Sequence, residues 1–220
     1  MNKKSSMLCT VLATILVAPA LAGTSTASVS PAVALERLRA GNERFAAGKA
    51  KRPHADLARI QSSDKGQAPF AIVLTCADSR LSPELIFDQG IGDIFVSRVA
   101  GNTPSPEIIG SIEYAVAVLG ARTIVVMGHD KCGAVDAAIK GGELPGSIGE
   151  VTKPIEAAVK ATEGKANRLH ETILQNVRDS VRTLRKESSI VSDLESKGEL
   201  RIVGANYELR TGKAKMFKVG

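Results

Sequence analysis

A cysteine, an aspartate and an arginine fall within five residues in the stretch VLTCADSRL, as Cys76, Asp78 and Arg80, directly after an apolar run. Farther along, VMGHDKCGAV supplies His129 and Cys132 with two residues between them. That spacing lets one turn present both side chains to a single ion, and Cys76 adds a second thiolate. Structural zinc sites are normally closed by four protein ligands, whereas catalytic ones use three and leave a position for water. The overall pattern, Cys-x52-His-x2-Cys, is only moderately specific by itself. Gly128 and Gly133 flank the second pair and are expected to allow a tight loop around the ligands.

Other chemistries fit the same residues. Cys9 lies in a leader-like N-terminus, so only Cys76 and Cys132 would remain in a mature chain. Two cysteines in an oxidising compartment suggest a disulfide, with His129 an ordinary turn residue. Asp78 and Ser79 could cap the next helix, or Asp78 and Arg80 could form a surface ion pair. GHDKCG lacks the Gly-x4-Gly-Lys-Ser/Thr spacing of a phosphate-cradling loop, and a redox module would want a Cys-x-x-Cys that is absent. Metal and disulfide both stay open on local chemistry.

The elements that must position these residues are legible around them. PFAIVLT (69–75), DIFVSRV (93–99) and RTIVVM (122–127) are short, largely apolar runs that read as strands. SPELIFDQG (82–90) and SPEIIGSIEYAVAVLG (105–120) each open on a serine N-cap with proline at the first position and stop at glycine, which predicts a helix between strands. The alternation implies a parallel sheet with right-handed crossovers. Cys76 and His129 would then emerge at its carboxyl edge, where open α/β sheets place their sites.

Upstream, Ser30 and Pro31 start a helix carrying Val33, Leu35, Leu38 and Phe45, expected to be interrupted at Gly41–Asn42. A basic, polar stretch then runs to Lys65. Downstream, GGELPGSIG (141–149) reads as a loop. A helix over about 166–186 places Leu169, Ile173, Val177, Val181 and Leu184 on one face. ELRIVGANYELRTGKAKMFKV closes the chain as a strand, a glycine-containing bend and an edge strand. The expected fold is α/β: a central, mostly parallel sheet with an antiparallel edge strand, flanked by helices, with an N-terminal helical arm. It forms one domain over 30–220, without internal repeats.

Of the 220 residues, 44% are hydrophobic and 24% charged, enough for one sizeable core. Aromatics are 3% with no Trp, which argues against surfaces that stack sugars or bases, so no nucleic-acid partner is expected. Lys3 and Lys4, the apolar run Met7–Val17 and the small residues Ala20 and Ala22 read as a Sec-type signal peptide over 1–22, cleaved after Ala22. A membrane span needs about 20 apolar residues, more than this run offers. Loss of Lys3 and Lys4 takes the formal charge from +6 to +4. With a polar linker over 23–29, the mature protein is expected to be periplasmic or secreted, with no membrane partner.

TCADSR together with GHDKCGAV resembles the signature of the β-class carbonic anhydrases. LRAGNERFAAG, GQAPFAIVLTCADSR, DIFVSRVAGN, GSIEYAVAVLGARTIVVMGHDKCGAV and IVGANYELRTGKAKMF extend the likeness over nearly the whole mature chain. The resemblance implies one zinc ion per chain on Cys76, His129 and Cys132, beside an Asp78–Arg80 carboxylate–guanidinium dyad. Gln67 would hydrogen-bond bicarbonate, Phe95, Ala100 and Tyr114 would shape the pocket, and the Gly133 N–H would lie near the substrate. The implied reaction is reversible hydration of carbon dioxide to bicarbonate and a proton, by zinc-hydroxide attack on CO2. The implied assembly is a homodimer, or a larger dimer-based oligomer, whose partner completes the pocket. At low pH Asp78 would ligate zinc in a closed form, and at higher pH it would swing to Arg80.

A non-catalytic zinc- or bicarbonate-binding protein on the same fold is the alternative. Asp78, Arg80 and Gln67 argue against it, because a structural zinc site needs none of them. Some bacterial members build an inhibitory bicarbonate site with a Trp and a Val-Pro pair. The matching residues here are Val73 and Leu81–Ser82, so no such site is expected. Ala77 replaces a common Ser, and Ala100 is smaller than the valine of plant-type members. His54 and His170 are expected to be surface residues.

Overall fold

Ser30 starts the first helix, as its type predicts. In the computed structural model, which describes residues 29–220, its hydroxyl accepts from the Val33 N–H at 3.4 Å and Pro31 takes the first position of α1 (Pro31–Ala46). The leader 1–22 and all but the last residue of the 23–29 linker lie outside the described residues. Contrary to expectation, α1 runs straight through Gly41–Asn42. A Cβ at Gly41 would stand 1.7 Å from the Phe87 carbonyl oxygen, so this glycine serves a close approach and not a bend. Asn42 is buried. It donates to the carbonyls of Ile86 at 3.1 Å and Gly212 at 2.8 Å, and accepts from the Ala214 N–H at 2.9 Å.

The polar stretch that follows holds an unpredicted helix, α2 (Leu57–Ser63), capped by Asp56. Then the expected alternation sets in: β1 (Ala71–Thr75), α3 (Pro83–Ile86), β2 (Ile94–Arg98), α4 (Pro106–Ala117) and β3 (Thr123–His129). α3 stops short of Gly90, because Asp88 turns the chain at φ 47°. Its buried carboxylate accepts from Arg44 Nε at 2.6 Å and from the N–H groups of Lys51 and Arg52 at 3.0 and 2.8 Å. Neither Ser82 nor Ser105 caps its helix through the side chain, and the Ser105 hydroxyl bonds the Glu107 carboxylate instead. Beyond β3 come α5 (Gly133–Lys140), α6 (Ile148–Thr152), α7 (Glu156–Ala161), α8 (Arg168–Glu187), α9 (Ser189–Ser196), β4 (Arg201–Tyr207) and β5 (Ala214–Phe217).

The strands form one sheet in the order β2-β1-β3-β4-β5, parallel throughout except between β4 and β5. Val73, Val125, Met127 and Val203 pack on one face with residues of α1, α5 and α7. Ile72, Leu74, Ile124 and Val126 pack on the other with residues of α4, α8 and α9. Both faces are covered, which is why the strands read as continuous apolar runs. β1 lies between β2 and β3, so the chain leaves it toward one neighbour and later returns to the other. That reversal of direction opens a crevice outside the carboxyl ends of β1 and β3. No described helix is long and apolar enough to cross a membrane.

Candidate metal centre

Thr75 ends β1 with its hydroxyl donating to the Met127 carbonyl at 3.0 Å, which locks the ends of β1 and β3 side by side. Cys76 is the next residue, and His129 is the last of β3. The ligand atoms of Cys76, His129 and Cys132 all lie within 4.8 Å of one another, and all three residues are buried. Both cysteines are free, so the disulfide reading is not what the chain adopts.

The turn that joins His129 to Cys132 does not depend on the flanking glycines. Lys131 makes it, with a left-handed φ of 55°. Gly128 lies inside β3, where a Cβ would meet Val177 Cγ2 at 2.9 Å and Ile173 Cγ2 at 3.0 Å, so it admits α8 to the sheet. Gly133 opens α5 and faces open space.

The donor set fits a metal. His129 Nδ1 pairs with the Asp130 carbonyl at 2.9 Å, which assigns the proton to Nδ1 and leaves a lone pair on Nε2. Nε2 is buried with no hydrogen-bond partner, a costly state unless something takes that lone pair. Asp130 is itself pinned, its N–H donating to the Tyr207 carbonyl at 3.0 Å and its carboxylate accepting from Asn206 Nδ2 at 2.9 Å. The thiols are in conflict. The neighbouring Cys132 thiol lowers the Cys76 thiol against the effect of burial, with help from the Gly101 N–H at 3.3 Å. The contact with Cys76, burial and the Cys76 charge push Cys132 up, although the N–H groups of Ala134 and Val135 at the start of α5 favour its thiolate. Two buried thiols this close become two thiolates only beside a cation. Sulfur and imidazole ligands, three in number, suit zinc with one position left over.

Asp78 and Arg80 stand at the edge of this cluster. Arg80 Nε donates to Asp78 Oδ1 at 2.9 Å and Nη2 to Oδ2 at 2.7 Å, while the Arg80 N–H also reaches Oδ1 at 3.0 Å. That grip outweighs partial burial and holds the Asp78 carboxyl far below the usual carboxylate range. Arg98 fastens the same segment, donating to the carbonyls of Cys76 at 3.2 Å and Asp78 at 2.8 Å. A 3-10 turn at Ala100–Asn102 brings half-buried Ala100 to the cluster, and the Gly101 N–H donates to Cys76 Sγ at 3.3 Å.

The remaining pocket candidates are placed elsewhere in the single chain. Gln67 is exposed ahead of β1, Tyr114 is 48% exposed on α4, and Phe95 packs on the sheet face away from Cys76. His54 is tied to Asp93 at 2.8 Å. His170 is half-buried and lines a cavity of about 270 Å³ with Asp130 and Lys131. The sequence reading missed the supporting groups Arg98, Gly101, Asp130, Asn176 and Ser180. The last two had a signal: they are polar positions one turn apart beside the apolar stripe of α8.

Comparison with known proteins agrees with this geometry. A family model described as carbonic anhydrase matches residues 71–214. Carbonic anhydrase 2 of Mycobacterium tuberculosis is 41% identical over 192 residues, which cover 85% of this chain and 93% of that one. The carbonic anhydrase of Mycolicibacterium smegmatis is 37% identical, again over 85% of this chain and 93% of the relative. One of two tetrameric β-carbonic anhydrases solved from Sordaria macrospora superposes with a TM-score of 0.65 at 25% identity, covering 81% of this chain and 93% of that chain.

Proposed function

The chain belongs to the β-class carbonic anhydrase family, and from that premise we propose that it hydrates carbon dioxide reversibly to bicarbonate and a proton with one zinc ion per chain. The observation that carries this reading is the buried, unpartnered Nε2 of His129 within 4.8 Å of two buried, free thiols, with Asp78 anchored beside them.

Zinc on Cys76, His129 and Cys132 would supply the Lewis acidity that makes a water nucleophilic near neutral pH. Asp78 would serve as the hydrogen-bond acceptor that orients that water toward the carbon. Arg80 holds both Asp78 oxygens, so the carboxylate stays an acceptor and does not take the fourth ligand position. At low pH, where no hydroxide competes, Asp78 would leave Arg80 and take the metal itself. Burial of all three ligands keeps bulk water from competing for them. Ala100 and the Gly133 N–H border the substrate space, and Gln67, Phe95 and Tyr114 serve the site of a second copy in a homodimer or a larger dimer-based oligomer.

Cleavage of the leader after Ala22 would leave a mature protein in the periplasm or outside the cell. N-terminal sequencing of exported protein should begin at Gly23.

The test is to purify the reduced mature chain anaerobically, quantify zinc and follow CO2 hydration by stopped flow. About one zinc per chain, with hydration lost in Asp78→Asn, is the expected result. Zinc-loaded protein without hydration would identify a binding protein instead.

A further inference from the structure

We propose that Asn176 and Ser180 of α8 are positioning residues for the metal ligand Cys76, acting through the turn Ala100–Asn102. The inference rests on the reading of Cys76 as a ligand. The Gly101 N–H donates to Cys76 Sγ at 3.3 Å. A donor on a thiolate draws charge away from the bond to the metal and leaves the ion more acidic. The effect matters here because two thiolates formally cancel the charge of a divalent ion.

The turn that aims this N–H is not one the chain adopts freely. Gly101 and Asn102 are both left-handed, with φ of 77° and 49°, and such conformations persist where the surroundings over-determine them. α8 supplies the surroundings. Asn176 Nδ2 donates to the Gly101 carbonyl at 2.7 Å, and the Ser180 hydroxyl donates to the Asn102 carbonyl at 3.2 Å. Four residues apart, the two side chains leave the same helix face, and both residues are at least 98% buried. A Cβ at Gly101 would meet Ile155 Cδ1 at 2.7 Å and Ala134 Cβ at 3.3 Å, so only glycine fits beneath these straps. Ile173, Val177, Val181 and Leu184 already bury α8 against its neighbours. Polar groups amid that packing are explained by what they hold.

The test uses the full mature chain with cobalt(II) in place of zinc, and a ¹⁵N-glycine sample for the exchange rate of the Gly101 amide. Asn176→Leu keeps the volume and removes the donor, and Ser180→Ala removes only a hydroxyl. Each should speed Gly101 exchange by about ten-fold through local opening, and move the thiolate-to-cobalt charge-transfer band to lower energy. Val181→Ala, a packing change on the same helix, should alter neither. If Asn176→Leu does not fold, Ser180→Ala carries the test. Wild-type exchange and band position in a folded variant would overturn the proposal, as would equal shifts in Val181→Ala. A wild type that binds no cobalt would overturn the metal reading alone, since Gly101 exchange in the reduced, metal-free chain still decides whether the straps hold the turn.

Discussion

Arg80 grips both carboxylate oxygens of Asp78 while Oδ2 of that carboxylate stands 3.9 Å from Nε2 of His129. On the proposed reading, one guanidinium would keep an anionic ligand beside the metal cage and out of it. Arg80→Gln should lower hydration at pH 7 by roughly 100-fold with zinc content unchanged, measured by stopped flow and metal analysis. Loss of the zinc together with the rate would mean that Arg80 supports the fold and not the dyad.

The same pair sets a pH signature. Because Arg80 holds the Asp78 carboxyl so low, Asp78 stays ionised far into acid, and what changes with pH is its competitor for the metal: water at low pH, hydroxide, a stronger ligand, at high pH. Hydration should therefore rise from acid to alkaline pH. A flat profile would rule out the closing of the site by Asp78.

Metal removal should be felt by the whole domain. A ligand present at about 1,000 times its Kd stabilises the folded state by about 4 kcal/mol. For a chain of this size that corresponds to a Tm fall of roughly 10 °C on chelation, read by calorimetry. Thiol titration should then find Cys76 and Cys132 newly reactive, and mild oxidant should join them, since their sulfurs lie within 4.8 Å.

Gly41→Ala tests the packing of α1. The added methyl would overlap the Phe87 carbonyl, so a loss of about 3 kcal/mol is expected in urea unfolding. A loss below about 0.5 kcal/mol would show that the helix can move aside.

Asp88 gives the fold an acid limb. Burial alone would raise its carboxyl, but the Lys51 and Arg52 N–H groups and the Arg44 guanidinium more than offset that and leave it lowered. A carboxyl lowered on folding contributes stability that is present above its unfolded value and lost as pH falls through the folded one. Asp88→Asn should cost about 2 kcal/mol at pH 7 and reduce the dependence of urea unfolding on pH below about 4. An unchanged acid limb would assign it to other carboxylates.

The fold was legible where local chemistry and burial agree. Apolar runs marked β1, β2 and β3, and Ser30–Pro31 marked the start of α1. It was misread where a residue's usual role gives way to a distant neighbour. Gly41 resembles a helix breaker until Phe87 is placed against it, and Asn42 resembles a turn residue until Ile86, Gly212 and Ala214 supply its partners. The cluster of Cys76, His129 and Cys132 and the Asp78–Arg80 pair could be read because their types and order in the chain carry the chemistry. The groups that orient them could not, because Gly101 and Asp130 act through backbone atoms that every residue has.

β1 and β3 lie side by side, but α3, β2 and α4 all separate them along the chain. Cys76 cannot meet His129 and Cys132 until that long loop has closed and a non-local parallel pairing has formed, which is a slow event in folding. Metal capture on the proposed site would therefore come late in folding. If the chain is exported as proposed, folding speed, more than zinc supply, would set how long its thiols remain unguarded.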